Sequence, residues 1–383
     1  MITLIPPGRR LSSAGLALGL LTAALAAVTL VDATTGTTPA PADRGSEPAA
    51  LHPLTVSTAA ARAGLRLLSA AATAALAVPY GGEQVVAWWG PQGPSMSLIQ
   101  VWHPRNSSVR ANATNMSSIP AALAAGLDGP SVPGPAIATS PTAQDPDGVL
   151  GISQQMVNLI QAHYVVAATG RDQVVGRQAR VVQLTRPDGS LAARFWLDQG
   201  TKLLLRRETF DTGGVLISED TFLSLRFGET ALAGMPAQSV NPWPTTLTPA
   251  QLDELRAGGW PAPGGLPGGL RLLAAHRTPQ VVDLDYSDGL SVVSVFVQRG
   301  ELPVVLPGWQ EVSVSGHEVY SRDPDQRSLS WSAHGFVYTV IAAAPPTVVS
   351  SVVAAMPHDP PRGFWGRIAH GLKRLASWAN PFR

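Results

Sequence analysis

The sequence predicts an α+β protein of two domains, each built on an antiparallel sheet. Three observations carry this. From Val175 to Phe227, four strand-like runs are separated by Pro187-Asp188-Gly189, Asp198-Gln199-Gly200 and Asp211-Thr212-Gly213-Gly214. Such turns supply the positive-φ positions of tight hairpins, and links this short join antiparallel neighbours. Further on, Val281–Tyr286 and Leu290–Gln298 flank Ser287-Asp288-Gly289, a second hairpin pattern. Between these regions the Pro-rich stretch Asn241–Leu247 reads as a linker, and 383 residues suit about two domains plus tails.

Bulk composition excludes several classes. The chain has 45% hydrophobic and 14% charged residues, enough apolar material for two cores. A net charge of +1 gives no global signature of nucleic-acid binding. With no Cys there is no disulfide, thiolate nucleophile or zinc–thiolate site.

Taken in order, residues 1–33 read as a secretory signal or a membrane anchor. Arg9 and Arg10 precede an apolar run from Ala14 to Val31, and Val31 and Ala33 are small enough for cleavage before Thr34. Either outcome places the rest of the chain outside the cytoplasm. Residues 34–54, rich in Thr, Pro and Ala, read as a disordered spacer.

The first domain is expected over residues 55–240. Ser57–Val78 reads as a helix stopped by Pro79, with Leu65, Leu68, Ala72 and Leu76 on one stripe. Glu83–Trp89 and Ser95–His103 read as strands, Ala111–Asp147 as a loop, Ile152–Gln161 as a short helix and Tyr164–Ala168 as a strand. The four runs of the meander are Arg177–Leu184, Leu191–Leu197, Leu203–Phe210 and Val215–Phe227. In the last, Val215, Ile217, Thr221, Leu223, Leu225 and Phe227 share one parity and Ser218, Asp220, Ser224 and Arg226 the other, so one apolar and one wet face are expected. Phe195 and Leu197 oppose Arg194 and Trp196, and Leu203 and Leu205 oppose Lys202 and Arg206.

Residues 241–255 are read as a linker and 256–356 as the second domain. Thr248 and Gln251 have capping-box spacing. Strands are expected at Leu270–Ala275, Val281–Tyr286, Leu290–Gln298, Glu311–Tyr320, Arg327–Trp331 and Phe336–Ile341, and a closing helix at Thr347–Met356. Residues 357–383 form a basic tail in which Phe364, Ile368, Leu372 and Leu375 share a helical face, flanked by Trp365 and Trp378, with Lys373 and Arg374 opposite. These residues fit a helix lying on a membrane surface, one docking a partner, or one packed on its own domain.

No catalytic or metal motif is present. The eight His form no ligand-spaced cluster, and there is no nucleophile elbow, P-loop or dinucleotide fingerprint. Glu219 and Asp220 point to opposite faces of one strand, a poor geometry for acid–base work. Asp283 and Asp285 share a parity read as a wet sheet face, and His317 and His334 lie on neighbouring runs where they could meet. The reading is a binding protein with no cofactor, not an enzyme.

The meander also resembles a known family. Gly176-Arg177-x-Ala179-x-Val181, the Pro187-Asp188-Gly189 turn, Arg194-Phe195-Trp196-Leu197-Asp198, Leu203-Leu204-Leu205-Arg206 and a strand carrying Phe222-x-x-Leu225 are similar to the MucB/RseB family. Tyr80-Gly81-Gly82 and Ser95-Met96 extend the match upstream, and Tyr286–Leu290 with Val293–Val297 extend it into the second domain. The chain departs from the family at Ala111–Asp147, where Ala, Ser, Pro and Gly replace an acidic, Leu-containing segment.

The resemblance implies a half-open antiparallel sheet or barrel wrapped on helices, similar to the periplasmic lipoprotein carriers, with a smaller C-terminal antiparallel α+β domain. Trp88, Trp89, Met96, Trp102, Phe195 and Trp196 are the candidates for lining its apolar concavity, or for ordinary core. It further implies an extracytoplasmic regulator that binds a transmembrane anti-sigma factor and modulates its proteolysis in envelope stress, with a lipid or amphiphile as a candidate signal. The alternative is a lipid or lipoprotein carrier at the outer face of the membrane.

Overall fold

The computed structural model describes residues 57–90, 93–107, 109–115, 150–236, 245–302, 306–322 and 327–359. The expected N-terminal segment, the spacer and the tail with Phe364, Trp365, Ile368, Leu372, Lys373, Arg374, Leu375 and Trp378 lie outside these residues. So does most of the expected 111–147 loop.

Helix α1 spans Thr58–Ala77, capped by the Ser57 hydroxyl accepting from the Ala60 amide. Strands β1 (Tyr80–Gly90), β2 (Gly93–His103) and β3 (Arg110–Asn115) follow. The third begins where a loop was expected. Helix α2 (Gln154–His163) leads into β4 (Val165–Val174), β5 (Arg177–Thr185), β6 (Leu191–Asp198), β7 (Leu204–Phe210) and β8 (Leu216–Phe227). The spatial order is β3-β2-β1-β8-β7-β6-β5-β4, antiparallel at every step, so β8 closes the meander onto the first hairpin and β3 and β4 stand at open edges.

Both helices cover one face of this sheet. Leu68, Ala71 and Ala72 of α1 and Met156, Val157 and Ile160 of α2 join Val182, Leu184, Phe195 and Phe222 in one buried cluster. Gly64 explains itself here. A Cβ at that position would lie 2.9 Å from Val166 Cγ1 and 3.1 Å from the Ala167 carbonyl carbon, so a glycine lets α1 close on β4. The buried stripe of α1 therefore runs through Gly64, Leu68, Ala71 and Ala72, while Leu76 is 59% exposed.

Two bulges reset the expected faces. Opposite β1, Glu83 pairs with Ser224 and Gln84 with Phe222, leaving Leu223 as the extra residue of β8. One inserted residue inverts the alternation. Phe222 consequently joins Leu225 and Phe227 at the core, and Ser218 and Asp220, expected on a wet face, are buried. A second irregularity pairs Trp196 with Arg206 but Leu197 with Leu204, and Leu203, Leu204 and Leu205 are all buried as a result.

The second sheet contains β9 (Thr245–Thr246), β10 (Gly265–Leu266), β11 (Leu270–Arg277), β12 (Val281–Ser287), β13 (Val292–Arg299), β14 (Gln310–Val314), β15 (His317–Ser321), β16 (Ser328–Ala333) and β17 (Phe336–Ala343). Its order is β10-β11-β12-β13-β17-β16-β15-β14, with β9 sharing the outer edge of β11. Helix α3 (Pro249–Ala257) carries the Thr248/Gln251 capping box, and α4 (Pro346–Ala355) follows the last strand. The run expected as one strand from Glu311 to Tyr320 is a hairpin. Ser315 and Gly316, at φ 51° and 81°, form its two-residue turn between paired Val314 and His317. Asp283 and Asp285 do not form a wet face. Asp283 is 5% exposed, and Asp285 accepts a 2.6 Å bond from Ser294, its cross-strand partner on β13. A separate apolar cluster, including Leu255, Tyr286, Val295, Trp331, Val340 and Val352, is the core of this sheet.

Candidate functional site

The ladder register decides which candidate residues share a face. Phe195 pairs with Arg207, Arg207 with Asp220, Asp220 with Val86 and Val86 with Ser97, so this row faces the helices. Trp88, two residues beyond Val86, faces the same way. Trp196 belongs to the neighbouring row with Arg206, Thr221 and Val85 and points to the opposite face, as do Trp89, Met96 and Trp102. The six candidates therefore divide, with Trp88 and Phe195 on the helix-bearing face and the other four on its reverse.

Each is held differently. Phe195 is 2% exposed inside the core, and burying a side chain of this kind stabilises by about 1.5–3 kcal/mol. Trp196 is 5% exposed on the reverse face, where its indole N–H donates to Asp172 at 2.8 Å and the Arg206 guanidinium lies 4.8 Å from a ring centroid. Trp88, Trp89, Met96 and Trp102 are half-buried. Trp88 lies under the Arg327 guanidinium at 5.0 Å, and with Trp89, Ile217 and Pro346 it borders a crevice of about 20 Å³. That volume suits a single water, not an acyl chain.

The helix-bearing face holds polar groups that parity did not reveal. Arg207 donates to Asp220 from both Nε and Nη2, at 2.8 and 2.6 Å, and the Asp220 side chain is 4% exposed. Thr209 and Ser218 share a hydroxyl bond beside them. Gln84, opposite Phe222, is fully buried with neither its Oε1 nor its Nε2 hydrogen-bonded. Buried amides are nearly always satisfied, so this group marks a place where a polar partner would be accepted. The bulge at Leu223 is the reason the alternation of β8 hid Asp220 and Ser218.

The reverse face carries a charge ladder. Glu208 lies between Arg206 and Arg194, and Arg206 Nε also reaches Glu219 at 3.2 Å. Burial pushes the Glu219 carboxyl up, with Arg206 opposing and Glu208 and Asp220 adding to the rise. At the β6–β7 turn, burial disfavours ionised Asp198, but bonds from Arg177 and Thr201 outweigh it and hold the pKa below its ordinary value. The Phe227 ring lies 4.6 Å from the same Arg177 guanidinium.

The two sheets meet at the Ser287-Asp288-Gly289 turn. Tyr164 Oη donates to Asp288 Oδ2 at 2.7 Å, while Asp288 Oδ1 accepts from the Leu290 and Ser291 amides at 2.9 and 2.7 Å. His163 Nδ1 lies 3.3 Å from the Asp288 carbonyl. Gly289, at φ 98°, leaves no room for a side chain, since a Cβ would stand 2.7 Å from Ile160 Cγ1. Burial raises the Tyr164 phenol far above its ordinary value, and the Asp288 charge adds to it. Sequence reading recognised this turn as a hairpin but not as the docking element for α2.

Other singled-out residues separate. His317 stacks on His358 at 3.8 Å, whereas His334 sits in the β16–β17 turn beside Asp359. Among the described residues, no three His, Asp or Glu side chains converge as a metal site, and no helix is long and apolar enough to cross a membrane.

Comparison with known proteins bears on the first sheet. Residues 97–247 match the family model of the MucB/RseB N-terminal domain. Among solved structures, the MucA/MucB complex of Pseudomonas aeruginosa aligns at 19% identity, covering 79% of this chain and 100% of that chain, with a TM-score of 0.41. A structure of MucB in complex with MucA(peri) aligns at 20% identity over 78% of this chain and 100% of that one, also at 0.41. An outer membrane lipoprotein-sorting protein domain from Vibrio parahaemolyticus aligns at 12% identity, covering 46% of this chain and 95% of that one, at 0.20. No curated protein matches the chain. The segment from Ser97 to Leu247, which runs from within β2 to just past β9, is therefore similar to the MucB/RseB N-terminal domain.

Proposed function

We propose that this protein is an extracytoplasmic regulator that binds the outer part of a transmembrane anti-sigma factor and controls its exposure to proteolysis. The family match over residues 97–247 carries the reading. The Tyr286–Leu290 stretch supports it, because the second resemblance in the sequence is the turn that docks the second sheet on α2. MucB, of the same family, is described in complex with MucA. Arg9, Arg10 and the apolar run behind them support a location outside the cytoplasm, delivered by a cleaved signal or held by an anchor. The basic tail from 362 to 382, with Trp365 and Trp378, would then lie against the membrane surface. Regulation follows as competition, in which a ligand preferring the unbound protein shifts the population away from the complex. A protease-protection assay tests this. Purified chain should slow cleavage of an anti-sigma ectodomain, and unchanged cleavage at saturating chain would refute it.

Gln84 favours a second reading, a carrier of lipid or lipoprotein. A fully buried amide with no partner on the helix-bearing face would be satisfied by the polar end of an amphiphile lying between sheet and helices. Trp88 and Phe195 are the candidates facing that side. Delipidated protein should then take up a fatty acid at one equivalent, and Gln84→Leu should weaken uptake without unfolding the chain.

A further inference from the structure

The second sheet holds a cleft that neither sequence motif nor family match assigns. It encloses about 470 Å³, within the range of small-ligand and peptide sites, between α3, the strand end at Arg277 and the strand end at Arg299. Its apolar wall is Leu247, Leu255 and Trp260. The polar wall is Gln251, Glu254, Arg277 and Arg299.

These side chains are set on rigid elements. Leu255 is 4% exposed on a helix held by the Thr248/Gln251 capping box. Arg299 is fixed by three contacts, lying 5.1 Å from the Trp260 ring and 5.3 Å from Phe336 while Nη2 donates to the Gly258 carbonyl at 3.3 Å. The two rings themselves lie 5.3 Å apart, so the guanidinium rests against both and keeps N–H groups beyond the Gly258 bond for a planar acceptor. Arg277 is exposed and makes no side-chain hydrogen bond or ion pair among the described residues.

The geometry points to a binding site for a short acidic peptide segment whose carboxylate side chain meets Arg277 and Arg299 and whose flanking apolar side chains meet Leu247, Leu255 and Trp260. Charge complementarity selects this occupant. A bare phosphate would use the arginines, leave the apolar wall unpartnered and face Glu254. A hydrocarbon chain would use the apolar wall and desolvate two cations without pairing them, which is costly. A peptide supplies an anion for the arginines, apolar side chains for the wall and backbone N–H donors for Glu254. Guanidinium–carboxylate pairs are also the stronger, bidentate class of hydrogen bond. The assignment concerns ligand chemistry and does not rest on the partner proposed above.

The test uses the full chain and the capped tripeptide acetyl-Leu-Glu-Leu-amide, followed by the indole N–H signal of Trp260 in NMR spectra, identified by its loss in Trp260→Phe. A saturable shift is expected. Replacing Glu by Gln in the peptide, or Arg277→Ala in the protein, should each weaken binding by roughly tenfold, about 1.4 kcal/mol. Arg277→Lys, which keeps the charge but not the fork, should fall between. Unchanged thermal unfolding of the Arg277 variants separates a lost contact from lost structure. No saturable shift at millimolar peptide, equal binding of the Gln peptide, or inorganic phosphate binding as tightly as the tripeptide would each overturn the assignment.

Discussion

Tyr164 and Asp288, 124 positions apart, share a 2.7 Å hydrogen bond that joins the end of α2 to the turn between β12 and β13. Asp288 spends its other carboxylate oxygen on its own turn, so the phenol is the partner its side chain has at the end of α2, beside the His163 contact to its carbonyl. Tyr164→Phe removes that link and nothing else of similar size. Because the acceptor is a carboxylate, the expected loss is about 1.5–3 kcal/mol, read by urea unfolding. Wild-type stability in the variant would show that the bond is replaced by water at no cost.

Gly289 makes the same joint sterically. Gly289→Ala must accommodate both a φ of 98° and a Cβ at 2.7 Å from Ile160 Cγ1 and 2.8 Å from its amide nitrogen. Gly214, at φ 79°, has open space around the same position and serves as the control. Gly214→Ala should cost about 1 kcal/mol from backbone strain alone, and Gly289→Ala about 3 kcal/mol or more. Thermal melts of the two variants side by side check this, and equal losses would mean that α2 does not dock closely on the turn.

Much of the architecture was legible. The Asp- and Gly-built turns placed β5 to β8 and the β12–β13 hairpin almost to the residue, because a tight turn is a local demand on φ that only a few residue types meet. Face assignment failed where the demand was not local. Nothing in the residues around Leu223 announces a bulge, since it arises from how β8 meets β1, and a single inserted residue moved Phe222, Ser218 and Asp220 to the buried side. The Ser315-Gly316 turn was missed because Ser gives a weak signal for positive φ. Adjacent Phe195 and Trp196 were both read as candidate lining, yet alternation alone puts them on opposite faces. Gln84 shares its face with Val86 and Trp88 by plain alternation along β1, but only the pairing with Phe222 shows that this face is the buried one.

The buried pair exposed by that bulge has its own consequence. Arg207→Met would leave Asp220 charged and 4% exposed with its cation gone, at a cost of about 3–5 kcal/mol. Replacing both, Arg207→Met with Asp220→Leu, should recover most of the loss in chemical unfolding. A double variant as unstable as the single one would show that the pair contributes through more than its mutual charge.

Two carboxylates give opposite pH signatures. The folded pKa of Asp198 is depressed, so its contribution is present above the unfolded pKa of about 3.9 and is lost as pH falls through the folded value. Wild type should therefore exceed Asp198→Asn in melting temperature at neutral pH, with the gap closing below about pH 4. The folded pKa of Glu219 is raised, so its favourable contribution is present below the unfolded pKa of about 4.3 and is lost as pH rises through the folded value. Glu219→Gln should accordingly compare best with wild type at neutral pH and lose that advantage in acid. Melting temperatures of the three proteins between pH 3 and about pH 8 decide both signs.

Capture from membranes tests the central claim most directly. The full chain, immobilised and incubated with detergent-solubilised membranes of its source cells, should retain a single-span anti-sigma factor through that factor's outer segment. Recovery of no anti-sigma factor, together with stoichiometric uptake of lipid by the same protein, would contradict the regulatory account and leave the carrier in its place.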